Sequence, residues 1–567
     1  MISLAPSPAE SARLAEVAAG RAPADLVLAG GTVVDVDTEQ VRAGWSVAVV
    51  DGRIAATGPE LSRQIGPGTE VFDARGQLVL PGLFEPHTHL ARLFIRETAR
   101  LQVAAGVTTS VVETTELGYA AGIEAVRAML GEARRAPGRI LMTLSPMIGF
   151  DSEHDAELGP ASRWLALLED DSVVGIGEAY WADLLRGHQR SLGLNAAAVE
   201  RGLAVEGHGA GAKAGPLQAM VALGVGSDHE PTTPEEVRAR LRLGIYVYLR
   251  NGATRQDLVS LSGLWAGQAP PARVAFCTDG VDPRDLVSGR SLNWVVAEAV
   301  RTGLPLATAV RMASLVPARR FGLAPWLGSL AIGAMADVAV FPDESLISPS
   351  LVLTSGARPR FVTARDLGGL AWHPPPMPLD PALFSPPMPG RYRAMAIPPD
   401  APMVTREIET DGRDSLLVVA IDRIHGVRAF RGLVAGLGFH DGAVATTTGS
   451  ESVALLVIGD RAEDMTLAVK RVLSTGGGVS VVSRGRELAG WTAPVAGLLS
   501  DSDAGRVADD VDSVNEALRA HGCTMRHPLT TIDFLTSPAV PHLRISAPKS
   551  AAAAYLEGGH RAAASAA

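Results

Sequence analysis

The sequence predicts an α/β protein in which a (β/α)8 barrel is flanked by a small β-sandwich-like domain, made from both sides of the barrel, and followed by a C-terminal α/β domain. Three observations carry this expectation. Eight apolar, β-rich runs alternate with helical stretches between residues 81 and 325, the strand number a closed parallel barrel requires. A texture of short strands and turns occupies both flanks of that region, 22–80 and 326–365. Beyond a Pro-rich stretch at 366–402, strand and helix patterns alternate once more over 403–548.

The elements follow in chain order. "MISLAPSPAESARLAEVAAGRAPADL" reads as an alanine-rich amphipathic helix and lacks the basic start and apolar core of a signal peptide. "DLVLAGGTVVDV", "WSVAVVDGRIAATG" and "TEVFDARGQLVLPG" read as strands, with Asp51-Gly52 as a hairpin turn. "GSLAIGAMADVAVFPD" and "SLVLTSGARP" repeat that texture after the barrel, which predicts one small domain built from both flanks. The barrel runs are "VLPGLFEPHTHL", "TTSVVETT", "RILMTLSP", "VVGIGEA", "LAVEGHGAG", "GVGSDHE", "GIYVYLRNG" and "RVAFCTDG". "HPPPMPLDPALFSPPMPGRYRAMAIPPDAP" is expected to be a passive, extended connector. "STGGGVS" lacks the Lys-Ser/Thr ending of a phosphate-binding loop and is read as a turn, and the alanine-rich tail at 549–567 as disordered.

Composition narrows the function classes. With 47% hydrophobic and 20% charged residues the chain is globular, and no segment approaches a membrane span. A formal net charge of −10, without a basic stripe, argues against nucleic acid. Cys277 and Cys523 are the only cysteines, so any metal must rely on His and carboxylates. The expected setting is the cytoplasm, and the expected partners are a small heterocyclic substrate and further copies of the chain.

The ends of the runs carry the chemistry, because barrel enzymes place catalytic groups at the C-terminal ends of strands. Run one ends in His87 and His89, alternate residues that project to one side. Run four gives Glu178, run five His208, run six His229 and run eight Asp279. An isolated His-x-His is as often a chance pair as a site, but six ligand types at one barrel end form a set. Four imidazoles and two carboxylates suit one or two divalent ions such as Mn, Fe or Zn, and six ligands exceed what a closed structural zinc uses.

These segments resemble the amidohydrolase superfamily. Many of its members carry a carbamylated lysine after strand four; "GIGEA" places a glutamate there, as in the bacterial adenine deaminases. "GSDHEPTT", "FCTDG", "AVRMASLVPARRFGL" and "GSLAIGAMADVAVF" are similar to that family's segments, and "RGLVAGLGFHDGAVATTTGSES", "RVLSTGGGVSVV" and "PVAGLLSD" to its C-terminal domain. The resemblance implies that Glu178 bridges two ions. It also exposes departures. A Pro-His-Glu element after strand two is replaced by Thr114, Thr115 and Glu116, and a second Asp after strand eight by Gly280. A histidine beyond strand eight is replaced near Arg290 and Ser291, and a loop with two histidines and an aspartate by "TTTGSES".

The expected reaction is attack of metal-activated water on a ring carbon of a nitrogen heterocycle with release of ammonia. Asp279 is expected to take the proton of the attacking water and Glu230 to protonate a ring nitrogen or the leaving group. Glu116, Arg250 and Arg290 are candidates for substrate contact, against structural ion pairing for Arg250 and a solvent-facing role for Glu230. The changed surroundings predict that adenine itself is poorly accepted. Ring opening of a cyclic amide, displacement of sulfide from a thioxo-heterocycle such as a thiohydantoin, and a non-catalytic binding protein on a degenerate barrel are the competing readings.

Overall fold

The computed structural model describes residues 4–537 and 543–545, apart from 91, 147–157, 267–268, 362–369, 378, 386, 388–389, 399–404, 427–428, 450–451 and 453. The tail at 549–567 and parts of the Pro-rich connector therefore lie outside the described residues.

The chain opens on the helix Pro8–Ala18, started by a reciprocal cap in which Ser7 Oγ accepts from the Glu10 N–H and Glu10 Oε2 accepts from the Ser7 N–H at 2.6 Å. Its Leu14 and Val17 pack on one face of a seven-stranded sheet, against Val27, Ala48 and Val50. The alternate residues Leu28, Val47 and Val49 face the other side. The strands Gln40–Val50 and Arg53–Gly58 are joined by Asp51 and Gly52, both at positive φ (51° and 75°), the geometry that makes Asp-Gly a tight hairpin. Val338–Phe341 pairs antiparallel with Leu78–Pro81, so the flank beyond the barrel closes onto the flank before it.

The eight barrel strands are Leu83–Thr88, Val107–Glu113, Arg139–Leu144, Val173–Tyr180, Ala204–His208, Ser227–Asp228, Tyr246–Arg250 and Val274–Cys277. The first five form one parallel sheet and the last three another. They meet through the Gly226 N–H donating to Val205 O at 2.9 Å, and through the Asp279 N–H donating to His87 O at 3.2 Å. Helices cover the outside, so the strands are buried on both faces and read as continuous apolar runs. Phe84, Val111, Leu141 and Val174 pack against Ala318, Leu323 and Leu327, and each precedes a polar or ionisable residue farther along its own strand.

The C-terminal domain is an eight-stranded sheet, antiparallel except where Tyr392–Ala396 lies alongside Ala429–Ala435. Helix Ala462–Ser474 covers Leu417, Val419 and Ile421, and helix Ala504–Ala520 covers Leu416, Val418 and Ala420, the period-two alternation of a sheet buried on both faces. "STGGGVS" forms a turn, with Gly476, Gly477 and Gly478 all at positive φ. The Pro-rich segment is more than a passive connector: Phe384, in the short turn Pro381–Phe384, is fully buried in the C-terminal core. Cys277 and Cys523 are both buried free thiols. No helix of the described residues is long and apolar enough to cross a membrane.

Candidate metal centre and active-site pocket

All six strand-end residues converge at one mouth of the barrel. Glu178 Oε1 stands 3.5 Å from His87 Nε2, 3.7 Å from His89 Nε2, 3.1 Å from His208 Nδ1 and 3.1 Å from His229 Nε2. Asp279 Oδ1 lies 3.1 Å from His87 Nε2 and 3.4 Å from His89 Nε2. Ligands bound at 2.0–2.1 Å in a tetrahedron sit about 3.4 Å apart, so this spacing fits donors placed around a cation. Two ligand sets result, His87 with His89, Glu178 and Asp279, and Glu178 with His208 and His229; Glu178 is the member they share. His229 Nε2 is buried without a hydrogen-bond partner among the described residues, as expected of a nitrogen whose partner is an ion.

Within the cluster the imidazoles' protons and the carboxylates' charges favour one another. Burial pushes Glu178 and Asp279 up, but the surrounding imidazoles outweigh it and hold both carboxyls well below the usual range. Burial likewise pulls His87 and His89 down, yet their carboxylate neighbours hold both well above an ordinary histidine. A divalent cation would take the place of those protons.

Supporting groups fix the donors. Asp279 has φ 54°, a left-handed conformation uncommon outside glycine, which turns its carboxylate inward. Its Oδ2 accepts from Thr254 Oγ1 at 3.2 Å and lies 3.5 Å from Arg250 Nη1. His89 Nδ1 is 2.5 Å from Glu116 Oε1, so Glu116, on the pocket wall, also orients a ligand ring. Glu113, which the sequence reading passed over, stands 3.6 Å from His87 Nδ1 and accepts from Thr143 Oγ1 at 2.8 Å. It ends the second barrel strand, so the strand-end rule applied to "VVETT" would have found it. A Cβ on Gly177 would lie 2.0 Å from Glu113 Oε2, so the Gly before Glu178 makes room for this carboxylate.

Glu230 follows His229 directly and is held by Arg250. Burial pushes its carboxyl up, and Arg250 together with His208 and His229 more than reverses that. Arg250 is only 4% exposed and is shared among Glu230, Asp257 and Asp279, so it sits behind the carboxylates on the pocket wall. Arg290 is a correction. Its half-exposed side chain lies 3.5 Å from Asp285 and over the Trp294 ring, and it does not line the pocket. The turn before helix Leu292–Arg301 carries it away from the barrel mouth.

The pocket above the cluster has a volume of about 380 Å³, within the range of small-molecule sites. The C-terminal domain supplies part of its wall, through Thr448, Leu498, Leu499 and Asp533 among others. Gly280, at φ 102°, lies against His89, and an added Cβ would sit in ordinary contact, 3.7 Å from the His89 Cβ.

A parallel barrel with imidazoles and carboxylates gathered at its C-terminal mouth is the architecture of metal-dependent amidohydrolases, and residues 78–359 match the amidohydrolase family. Residues 398–548 match the adenine deaminase C-terminal domain. An adenine deaminase of Moorella thermoacetica is 31% identical over 575 residues, covering 94% of this chain and 95% of that one. One of Paracoccus denitrificans is 31% identical over 576 residues, with the same coverage. The chain belongs to the adenine deaminase family. Among solved structures, a molinate hydrolase superposes with a TM-score of 0.47 at 18% identity, covering 60% of this chain and 95% of that one.

Proposed function

We infer that this chain is a hydrolytic deaminase of an adenine-like amino heterocycle, releasing ammonia. The observation that carries the reading is Glu178 standing in both ligand sets beneath a pocket walled by the C-terminal domain. His87, His89, Glu178 and Asp279 would hold one divalent ion of the Mn, Fe or Zn class, and Glu178, His208 and His229 a second. Bound there, such a cation supplies Lewis-acid activation of water at neutral pH.

The remaining work falls to side chains. Asp279 receives the proton of the attacking water, because Thr254 and Arg250 hold its Oδ2 while Oδ1 faces the cluster. Glu230 Oε1, within 3.4 Å of His229 Nε2, faces the same space and, ionised beside Arg250, relays a proton released by the attacking water to the ring nitrogen or departing amine. Apolar Leu117, Leu498 and Leu499 on the wall keep bulk water from the reacting carbon.

The test is ammonia release from a panel of amino heterocycles by protein loaded in turn with manganese, iron or zinc. Ammonia from at least one member is expected. A ring-opened acid or sulfide in its place would overturn the reading. Adenine is expected to fall below about 10⁴ M⁻¹ s⁻¹ in kcat/KM, because Gly280, beside His89, lacks the carboxylate that the resemblance implies there.

A further inference from the structure

The pocket has two walls of different origin, and the chemistry assigned so far uses only the barrel side. Among the described residues, the one charged side chain that the C-terminal domain places on the pocket is Asp533. It faces Arg92, in the loop directly after His89, with Nη1 to Oδ2 at 2.9 Å. The pair bridges the two domains at the pocket lip.

Both partners are held in place, and Arg92 keeps donors to spare. Arg92 has φ 61°, a conformation rare for a non-glycine residue, and its carbonyl accepts from the Ser500 N–H at 2.8 Å. Its Nη1 is buried without a well-aligned hydrogen-bond acceptor, and its Nη2 donates to Thr530 Oγ1 at a long 3.4 Å. A guanidinium carries five N–H donors, so most of Arg92's capacity is unused. Asp533 Oδ1 accepts from Thr446 Oγ1 and Thr448 Oγ1, each at 3.1 Å, and Oδ2 accepts from Thr448 Oγ1 only at a long 3.3 Å while facing Arg92 Nη1. Burial pushes the Asp533 carboxyl up to about 6 against the pull of Arg92 and the threonines, so it is ionised at neutral pH. A guanidinium with donors to spare beside a carboxylate whose outer oxygen is held only by a long bond and an ion pair, in a largely apolar wall, matches a ring edge that carries the opposite pattern.

We propose that Arg92 and Asp533 recognise the edge of the heterocycle remote from the reacting carbon, Arg92 donating to a ring acceptor and Asp533 accepting from the neighbouring ring N–H. The enzyme then takes free bases and rejects those substituted on that nitrogen. Purine and pyrimidine bases both offer such an edge, N3 with N9–H in adenine and O2 with N1–H in cytosine. The assignment rests on the deaminase reading above.

Metal-replete wild type, Asp533→Asn and Arg92→Lys are assayed for ammonia release from adenine, 2,6-diaminopurine and cytosine. The 9-methyl or 1-methyl counterparts are run in parallel, and metal content is measured on every sample. In the wild type the free base is expected to exceed its methylated form by about 10² or more in kcat/KM, the cost of an unpaired buried charge. Asp533→Asn should bring that ratio below about tenfold with metal content unchanged. Arg92→Lys keeps the charge but loses the planar fork, and should raise KM for the free base with little change in kcat. It carries the test where Asp533→Asn fails to fold. A ratio within twofold of wild type in Asp533→Asn, or an unaltered KM in Arg92→Lys, overturns the assignment while leaving deamination intact. No ammonia from any free base overturns the deaminase reading, and this one with it.

Discussion

At Asp279 a single residue combines a left-handed backbone, contact with two imidazoles and a second oxygen tied to Thr254 and Arg250. Asp279→Asn preserves volume but removes the proton acceptor, and should lower kcat by about 10² to 10⁴; stopped ammonia assays on metal-replete protein measure this. Glu178→Gln removes the shared carboxylate, so both ligand sets weaken together. Atomic absorption should find metal lost beyond the share of one position, whereas loss of only one ion would contradict sharing. The six converging residues were legible because strand ends of a parallel barrel point to one mouth whatever the loops do. Arg290 misled because it lies past the strand, where a helix start sets its direction. Arg92 and Asp533 had no signal, since nothing local in "HLARL" or "TIDFL" foretells their meeting.

Among the elements, helix Pro234–Arg242 shows how far local rules reach. Thr233 Oγ1 caps it by accepting from the Glu236 N–H at 3.2 Å, Pro234 occupies the first turn, and arginines close it. Thr233→Ala is expected to cost about 1 kcal/mol, read as a lower midpoint in urea unfolding. The turn at Gly497 illustrates the opposite case. Its φ is 67°, and an added Cβ would lie 2.3 Å from Nη2 of Arg423. That guanidinium is wholly buried, donates to the carbonyls of Thr447 and Ala496, and stacks on Trp372. Burial without a carboxylate partner depresses Arg423 to about 9. Gly497→Ala should therefore destabilise by about 1–3 kcal/mol and raise KM as well, since Leu498 and Leu499 on the same turn line the pocket. The strands could be read from periodicity; the buried face of the Pro-rich segment could not, because a lone Phe384 among prolines carries no period.

For the whole molecule, the contact between barrel and C-terminal domain decides behaviour. Leu93, Val281 and Leu286 of the barrel share a core with the C-terminal sheet, and Arg284 pairs with Asp509 and Asp512. Asp533 lies within this contact with its carboxyl raised from 3.8 to about 6. A raised carboxyl keeps its proton in the folded state after the unfolded chain has lost it. Its contribution to stability is therefore complete below pH 3.8 and lost as pH rises toward 6, by up to about 3 kcal/mol. Unfolding midpoints from pH 4 to 6 should show Asp533→Asn gaining on the wild type as pH rises; parallel profiles would refute the shift. The bond between Arg92 and Ser500 has a further consequence, which concerns time. The strand bearing His87 and His89 leaves the ribosome long before the segment that anchors its exit. At about 5–20 residues per second, the nascent barrel, complete only with Val274–Cys277, waits on the order of 10–40 s with its mouth unroofed, exposed to whatever ions the surroundings offer. Whichever divalent ion the cluster would take is then open to selection during synthesis, before the last domain arrives to close the pocket.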